Sequence, residues 1–167
     1  MPADHDRSRE QAPDRRARCP ACGASGRRVG EITLRSLVRE ARRDELGSLS
    51  EFAFCGAMGC ELAYFAADGR TVRKSDVKVR IGVKEASSPR PLCYCFDYSA
   101  EDLEAEAGAG SGAIVQEITA RCREGLDRCA ETNPRGACCL GDVRRFAGVS
   151  GRSTLAAACC AEPKPGN

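Results

Sequence analysis

Cysteines set in close pairs constrain this chain more than any other feature. "CPAC" holds Cys19 and Cys22, "CGAMGC" holds Cys55 and Cys60, and "CYC" holds Cys93 and Cys95. Cys138–Cys139 and Cys159–Cys160 are adjacent, and Cys122 and Cys129 complete the twelve. Thiols this close along a chain are poorly placed to cross-link with each other, but a turn can aim both at one centre. Aromatic residues make up only 5% of the 167 residues and tryptophan is absent, so large core side chains are scarce. Metals or disulfides must then supply stability that apolar burial does not.

The opening stretch, "MPADHDRSREQAPDRRARC", has no apolar segment of the signal-peptide kind. No apolar run approaches the roughly 18 residues of a membrane span. We therefore expect a cytoplasmic protein with no membrane span, whose thiols stay reduced. Metal ligation follows as the reading, with disulfides as the alternative. The formal net charge is +2, with both signs interspersed, which argues against a nucleic-acid partner.

Residues 1–17 read as a disordered arm, and the sole histidine, His5, falls there as a solvated side chain. Residues 18–86 read as a small β-rich unit. "EITLRSLVREARRDEL" predicts a helix with Leu34, Leu37, Val38 and Ala41 on one face. "EFAFC" and "CELAYFA" predict a hairpin. Val77, Val79, Ile81 and Val83 alternate strictly, which predicts a strand.

"SSPRP" at 87–91 marks a boundary, and residues 87–148 read as a helical unit. Ser99 with Asp102 forms a capping-box pattern for a helix running to about 107. A second helix is expected over 113–128, with Ile114, Ile118, Cys122 and Leu126 on its apolar stripe. "NPRG" is a turn, and a third helix is expected from near Cys138 to before Gly148. Residues 149–167 read as a flexible tail containing Cys159 and Cys160. The fold class is α+β.

Cys19, Cys22, Cys55 and Cys60 give two short-spaced thiol pairs separated by a helix-length segment. Tetrahedral zinc takes four such donors from two tight turns. A redox role for Cys19 and Cys22 fits less well, since a redox C-x-x-C usually opens a helix within a βαβ unit. The later set is spaced differently. Cys93-x-Cys95, Cys129 and one of Cys138 or Cys139 suit a 2Fe-2S cluster, which takes four thiolates. In that reading the C-x-C pair reaches one iron, with Tyr94 pointing away.

On a helix, Cys139 would share a face with Val143 and Phe146, and Cys138 with Asp142 and Arg145, so Cys139 is the preferred ligand. Cys122, on an apolar stripe, reads as a buried thiol and no ligand. The vicinal Cys159 and Cys160 suit a soft ion such as Cu(I), with incidental tail thiols as the alternative.

Taken together, "CPACG", "FCGAMGC", "LAYF", "VRIGVKE", "CYCFDYSAEDL" and "NPRGACCLGDV" resemble the N-terminal domain of the CopZ-type copper chaperones, an iron–sulfur cluster-binding metallochaperone family. The resemblance spans about residues 18–147. The cluster half is also similar to bacterioferritin-associated ferredoxin. The resemblance implies zinc at Cys19, Cys22, Cys55 and Cys60, and a 2Fe-2S cluster at Cys93, Cys95, Cys129 and one of Cys138 and Cys139. It implies handling of copper or a similar soft metal, with the cluster giving an electron that reduces Cu(II) to Cu(I). Implied partners are the soft metal ion and a copper-transporting ATPase or a separate heavy-metal-domain protein.

Chaperones of this type continue into a heavy-metal domain with its own M-x-C-x-x-C, which this sequence lacks. Cys159 and Cys160, or another protein, are expected to serve in its place. A 2Fe-2S electron-transfer or redox-sensing module without metal transport is the alternative function. A zinc-stabilised interaction domain is a third. No nucleophile–base pair and no phosphate loop is present, so catalysis is open only as metal reduction through the cluster.

Overall fold

The computed structural model describes residues 17–109 and 112–148. The arm at 1–16 and the tail from 149, with Cys159 and Cys160, lie outside the described residues. The chain is mixed α+β. A small antiparallel sheet comes first and a helical part follows.

The sheet is a four-stranded meander of β1 (Arg27–Arg28), β2 (Phe52–Phe54), β3 (Leu62–Ala66) and β4 (Thr71–Arg73). The expected hairpin is β2–β3, with Phe54 opposite Tyr64 and Phe52 opposite Ala66. Successive side chains on a strand point to opposite faces. Phe52, Phe54 and Tyr64 therefore pack on one face with Leu34, Leu37 and Val38, while Ala53 and Phe65 pack on the other with Cys19, Cys55 and Cys60. One face carries the aromatic core and the other carries sulfur.

The helix expected over 31–46 is two helices, α1 (Glu31–Leu37) and α2 (Glu40–Leu46). Val38 leaves the helix and forms a bridge with Val77. The Arg39 amide donates to Asp76 O at 2.9 Å, and the Lys78 amide to Leu37 O at 2.8 Å. Those hydrogen bonds replace the helical ones that the break removes.

The expected strand from Val77 to Val83 is corrected. After β4 the chain passes through 3-10 turns at Lys74–Asp76 and Gly82–Lys84, and only Val77 pairs. Val77 and Ile81 are buried, and Val79 and Val83 pack against the same core. The alternation records burial against one core, with no neighbouring strand to pair along it. Gly82 sits where the turn meets the next strand, and a Cβ there would lie 1.9 Å from Pro91 O.

β5 (Pro91–Cys93) and β6 (Tyr98–Ser99) form a two-stranded ribbon. α3 (Ala100–Ala109) begins with the expected box. The Ser99 amide donates to Asp102 Oδ2 at 2.8 Å, and the Asp102 amide to Ser99 Oγ at 3.2 Å. Glu101 ties the helix to the chain entering β5. It accepts from the Arg90 amide at 2.9 Å, Arg90 Nε at 2.7 Å and Ser88 Oγ at 2.8 Å.

α4 (Ala113–Arg123) buries Val115, Ile118 and Cys122. It ends five residues earlier than the expected Arg128, at a turn through Gly125, so Leu126 falls beyond it and is exposed. α5 (Cys129–Thr132) is a single turn, and α6 (Leu140–Phe146) starts after the adjacent cysteines rather than at them. Phe146 is largely exposed, so the expected apolar face shared by Cys139 and Phe146 is corrected.

The two parts interlock. α1 packs against α5, where Thr33 Oγ1 donates to Ala130 O at 2.6 Å. The fully buried Tyr64 hydroxyl donates to Pro134 O at 2.9 Å. Asn133 braces the receiving turn by donating to Ala137 O at 2.7 Å and accepting from the Arg135 amide at 3.0 Å.

Gly82→Ala is expected to destabilise the fold by about 2–3 kcal/mol, because the added carbon meets backbone that cannot swing aside. Chemical denaturation of the metal-loaded protein checks this. The Arg90 amide, the Arg90 guanidinium and Ser88 hold the Glu101 carboxyl well below its ordinary range. A depressed folded pKa adds stability above the unfolded value, and that stability is lost as pH falls below it. Glu101→Gln should therefore melt earlier than wild type at about pH 7, and the gap should close progressively below about pH 4.5.

Candidate metal centres

Cys19 and Cys22 lie on a tight knuckle, in which the Gly23 amide donates to Cys19 O at 2.8 Å and the Cys19 amide to Ala24 O at 2.9 Å. Gly23 has φ +71°, a conformation that side chains other than glycine rarely adopt. Cys55 follows β2 directly, and Cys60 stands two residues before β3. The hairpin and the knuckle together bring Cys19, Cys22, Cys55 and Cys60 so close that their sulfurs all lie within 4.8 Å of one another.

Cys19 Sγ is 3.9 Å from Cys60 Sγ, and Cys22 Sγ is 3.6 Å from Cys55 Sγ. Tetrahedral zinc with Zn–S bonds of ~2.3 Å separates its sulfurs by about 3.8 Å, so these residues fit the ion. Three of the four cysteines are buried and Cys22 is exposed. The Ala24 amide and the neighbouring thiols pull Cys22 down to about 7, while burial pushes Cys55 up to about 12 and raises Cys60. Cys22 is thus the thiol readiest to meet an ion, and binding must expel protons from the buried ones.

The second group gathers in the helical part. Cys93 ends β5, Cys95 lies in the turn to β6, Cys129 opens α5, and Cys138 and Cys139 precede α6. Cys95 Sγ is 3.4 Å from Cys129 Sγ and 3.2 Å from Thr132 Oγ1, and it accepts the Arg128 amide at 3.3 Å. Cys93 and Cys139 are buried in one core cluster, and Cys95 and Cys138 pack against it. Cys95 and Cys129 are therefore in direct sulfur contact, with Cys93, Cys138 and Cys139 in the adjoining core.

The neighbouring Cys129 and Cys93 thiols draw Cys139 down to about 4. Cys129 likewise lowers Cys138 to about 6 and Cys95 to about 7. The contact with Cys139 and burial raise Cys93, and neighbouring thiols raise Cys129. The mutual 4.8 Å spacing is established for Cys19, Cys22, Cys55 and Cys60.

Tyr94 points away from the thiols. Its hydroxyl donates to Arg80 O at 3.1 Å and accepts the Gly82 amide at 3.0 Å. Cys139 is buried and Cys138 is half-buried. Cys122 is buried on α4 in the same helical core cluster as Cys93 and Cys139. None of the ten cysteines among the described residues forms a disulfide.

Sequence reasoning missed two residues that touch these groups. Thr132 is one turn on from Cys129, and helical spacing could have found it. Lys84 is buried and donates to Ala57 O and Cys60 O, both at 3.0 Å. A lysine in an alternating segment reads as a solvated surface residue, so nothing in the sequence flags it.

Cys55→Ser is expected to lower zinc affinity by about two orders of magnitude, while Cys122→Ser leaves one bound zinc per chain. Competition against a chromogenic chelator, with zinc counted by elemental analysis, checks both.

The CopZ-type model described as "Zinc binding domain" matches residues 16–78. The "Copper chaperone CopZ" of Archaeoglobus fulgidus is 37% identical over 131 residues, which cover 77% of this chain and 61% of that protein. This chain therefore spans about three fifths of that relative's length. The X-ray structure of the Archaeoglobus fulgidus CopZ N-terminal domain matches with a TM-score of 0.64 and 33% identity, covering 78% of this chain and 97% of that one. With its four-cysteine site inside the matched zinc-binding region, the chain belongs to the family of CopZ N-terminal domains.

Proposed function

We propose that this protein handles copper or a similar soft metal and carries two metal centres of different purpose. Cys19, Cys22, Cys55 and Cys60 hold a structural zinc ion. Cys93, Cys95, Cys129 and one of Cys138 and Cys139 hold a 2Fe-2S cluster. The observation that carries this is the 3.4 Å contact of Cys95 Sγ with Cys129 Sγ beside a core cluster that holds Cys93 and Cys139, with Cys138 packed against it.

A bound 2Fe-2S cluster supplies one electron at a time, here for reducing Cu(II) to Cu(I). The chain's own residues prepare the site. The Arg128 amide and Thr132 stabilise sulfur charge on Cys95. Cys95, Cys138 and Cys139 are lowered toward the thiolate form that an iron centre would take. Burial of Cys93, Cys129 and Cys139 keeps water from that side of the site.

Cys159 and Cys160 act as the soft-ion donor pair, and the ion passes to a copper-transporting ATPase or a separate heavy-metal-domain protein. The relative's name as a copper chaperone supports this part of the reading. Thiols that must stay reduced suit a cytoplasmic setting.

Anaerobic purification is expected to give coloured protein with about two irons, two sulfides and one zinc per chain. Cys93→Ser, Cys95→Ser and Cys129→Ser should bleach it, and only one of Cys138→Ser and Cys139→Ser should do so strongly. Cys159→Ser with Cys160→Ser should remove stoichiometric Cu(I) binding and leave the colour. Colour without any copper affinity above thiol background would instead favour an electron-transfer module.

A further inference from the structure

Lys84 carries a buried ammonium that has no carboxylate within ion-pair distance among the described residues. The residue is 4% exposed. An ammonium has three N–H donors, and two of them go to Ala57 O and Cys60 O at 3.0 Å each. These carbonyls belong to the loop that joins Cys55 to Cys60. Carbonyl dipoles satisfy hydrogen bonds but do not neutralise a full charge. A buried cation left so is costly unless an anion stands near.

The four thiols next to it provide that anion. A divalent ion ligated by four thiolates has net charge −2, and three of its four cysteines are buried. Cation and anionic centre are each poorly placed alone and complementary together.

We propose that Lys84 is the positioning residue and counter-charge of the four-cysteine centre. It fixes the 57–60 loop through two carbonyls and offsets part of the negative charge of the loaded site. This rests on the reading that the four cysteines hold zinc. The residue's own anchorage is rigid: its 3-10 turn begins at Gly82, which is pressed against Pro91 O and donates to the Tyr94 hydroxyl.

The test compares wild type with Lys84→Arg, Lys84→Gln and Lys84→Met. Wild type is first shown to bind one zinc; failure there removes the zinc reading itself and is seen before any variant is made. Zinc affinity by chelator competition is expected to fall about tenfold or more in Lys84→Met and Lys84→Gln, and to stay within about threefold in Lys84→Arg. Glutamine keeps a donor for the carbonyls and removes only the charge, which separates the two roles. Cobalt titration reads the site directly, and the neutral variants should show shifted thiolate-to-metal absorption while Lys84→Arg restores it.

Equal zinc affinity and equal cobalt spectra across the set would overturn the proposal. Amine labelling of wild type, read by mass spectrometry, stands apart from any variant's folding. Lys84 should be protected with zinc bound and labelled after its removal, and labelling indifferent to zinc also overturns the proposal.

Discussion

The pleat of the strand Phe52–Phe54 and its continuation to Cys55 is the constraint on which the first half depends. Alternate side chains must face opposite ways, so Phe52 and Phe54 go to the aromatic core while Ala53 and Cys55 go to the sulfur side. The partner strand repeats the division, with Tyr64 on one face and Phe65 on the other. A one-residue slip would send Cys55 into the aromatic core and a phenylalanine toward the ion. Metal geometry is therefore built on strand register.

The second thiol group is organised on another principle. Its members come from a strand end, a turn, a one-turn helix and the approach to α6. No regular element aligns them. Hydrogen bonds between sulfurs and to Thr132 and the Arg128 amide, with packing of β5 against α6, keep them together. A bound centre takes its cysteine ligands as thiolates, so binding at this group releases protons.

Local patterns told most where the element was self-contained. The hairpin was legible because its turn and both strands lie within fifteen residues, from Phe52 to Ala66. The Ser99–Asp102 cap was legible for the same reason. Close spacing of Cys19 with Cys22 and of Cys55 with Cys60 announced the knuckles, and the structure brings the four together. The break at Val38 was hidden because its cause, the bridge to Val77, lies far along the chain. The alternation from Val77 to Val83 misled because period-two burial arises wherever an extended segment crosses a core, paired or not. α4 ended early at Gly125, whose positive φ outweighed the apolar pattern running on to Leu126. The placement of Cys138 and Cys139 ahead of α6 defeated an argument based on helix faces.

The seam between sheet and helices is itself specific. Thr33 and Tyr64, from the first half, both spend their hydroxyls on backbone carbonyls of the second, at Ala130 and Pro134. Those two carbonyls lie within the segment that runs from Cys129 toward Cys138. Modularity is the casualty: the helical portion is not a cassette that can be transplanted by cutting at the proline-rich joint. A graft would leave two buried hydroxyls facing an empty docking surface, and the recipient would have to rebuild both sockets before it could host the cysteines.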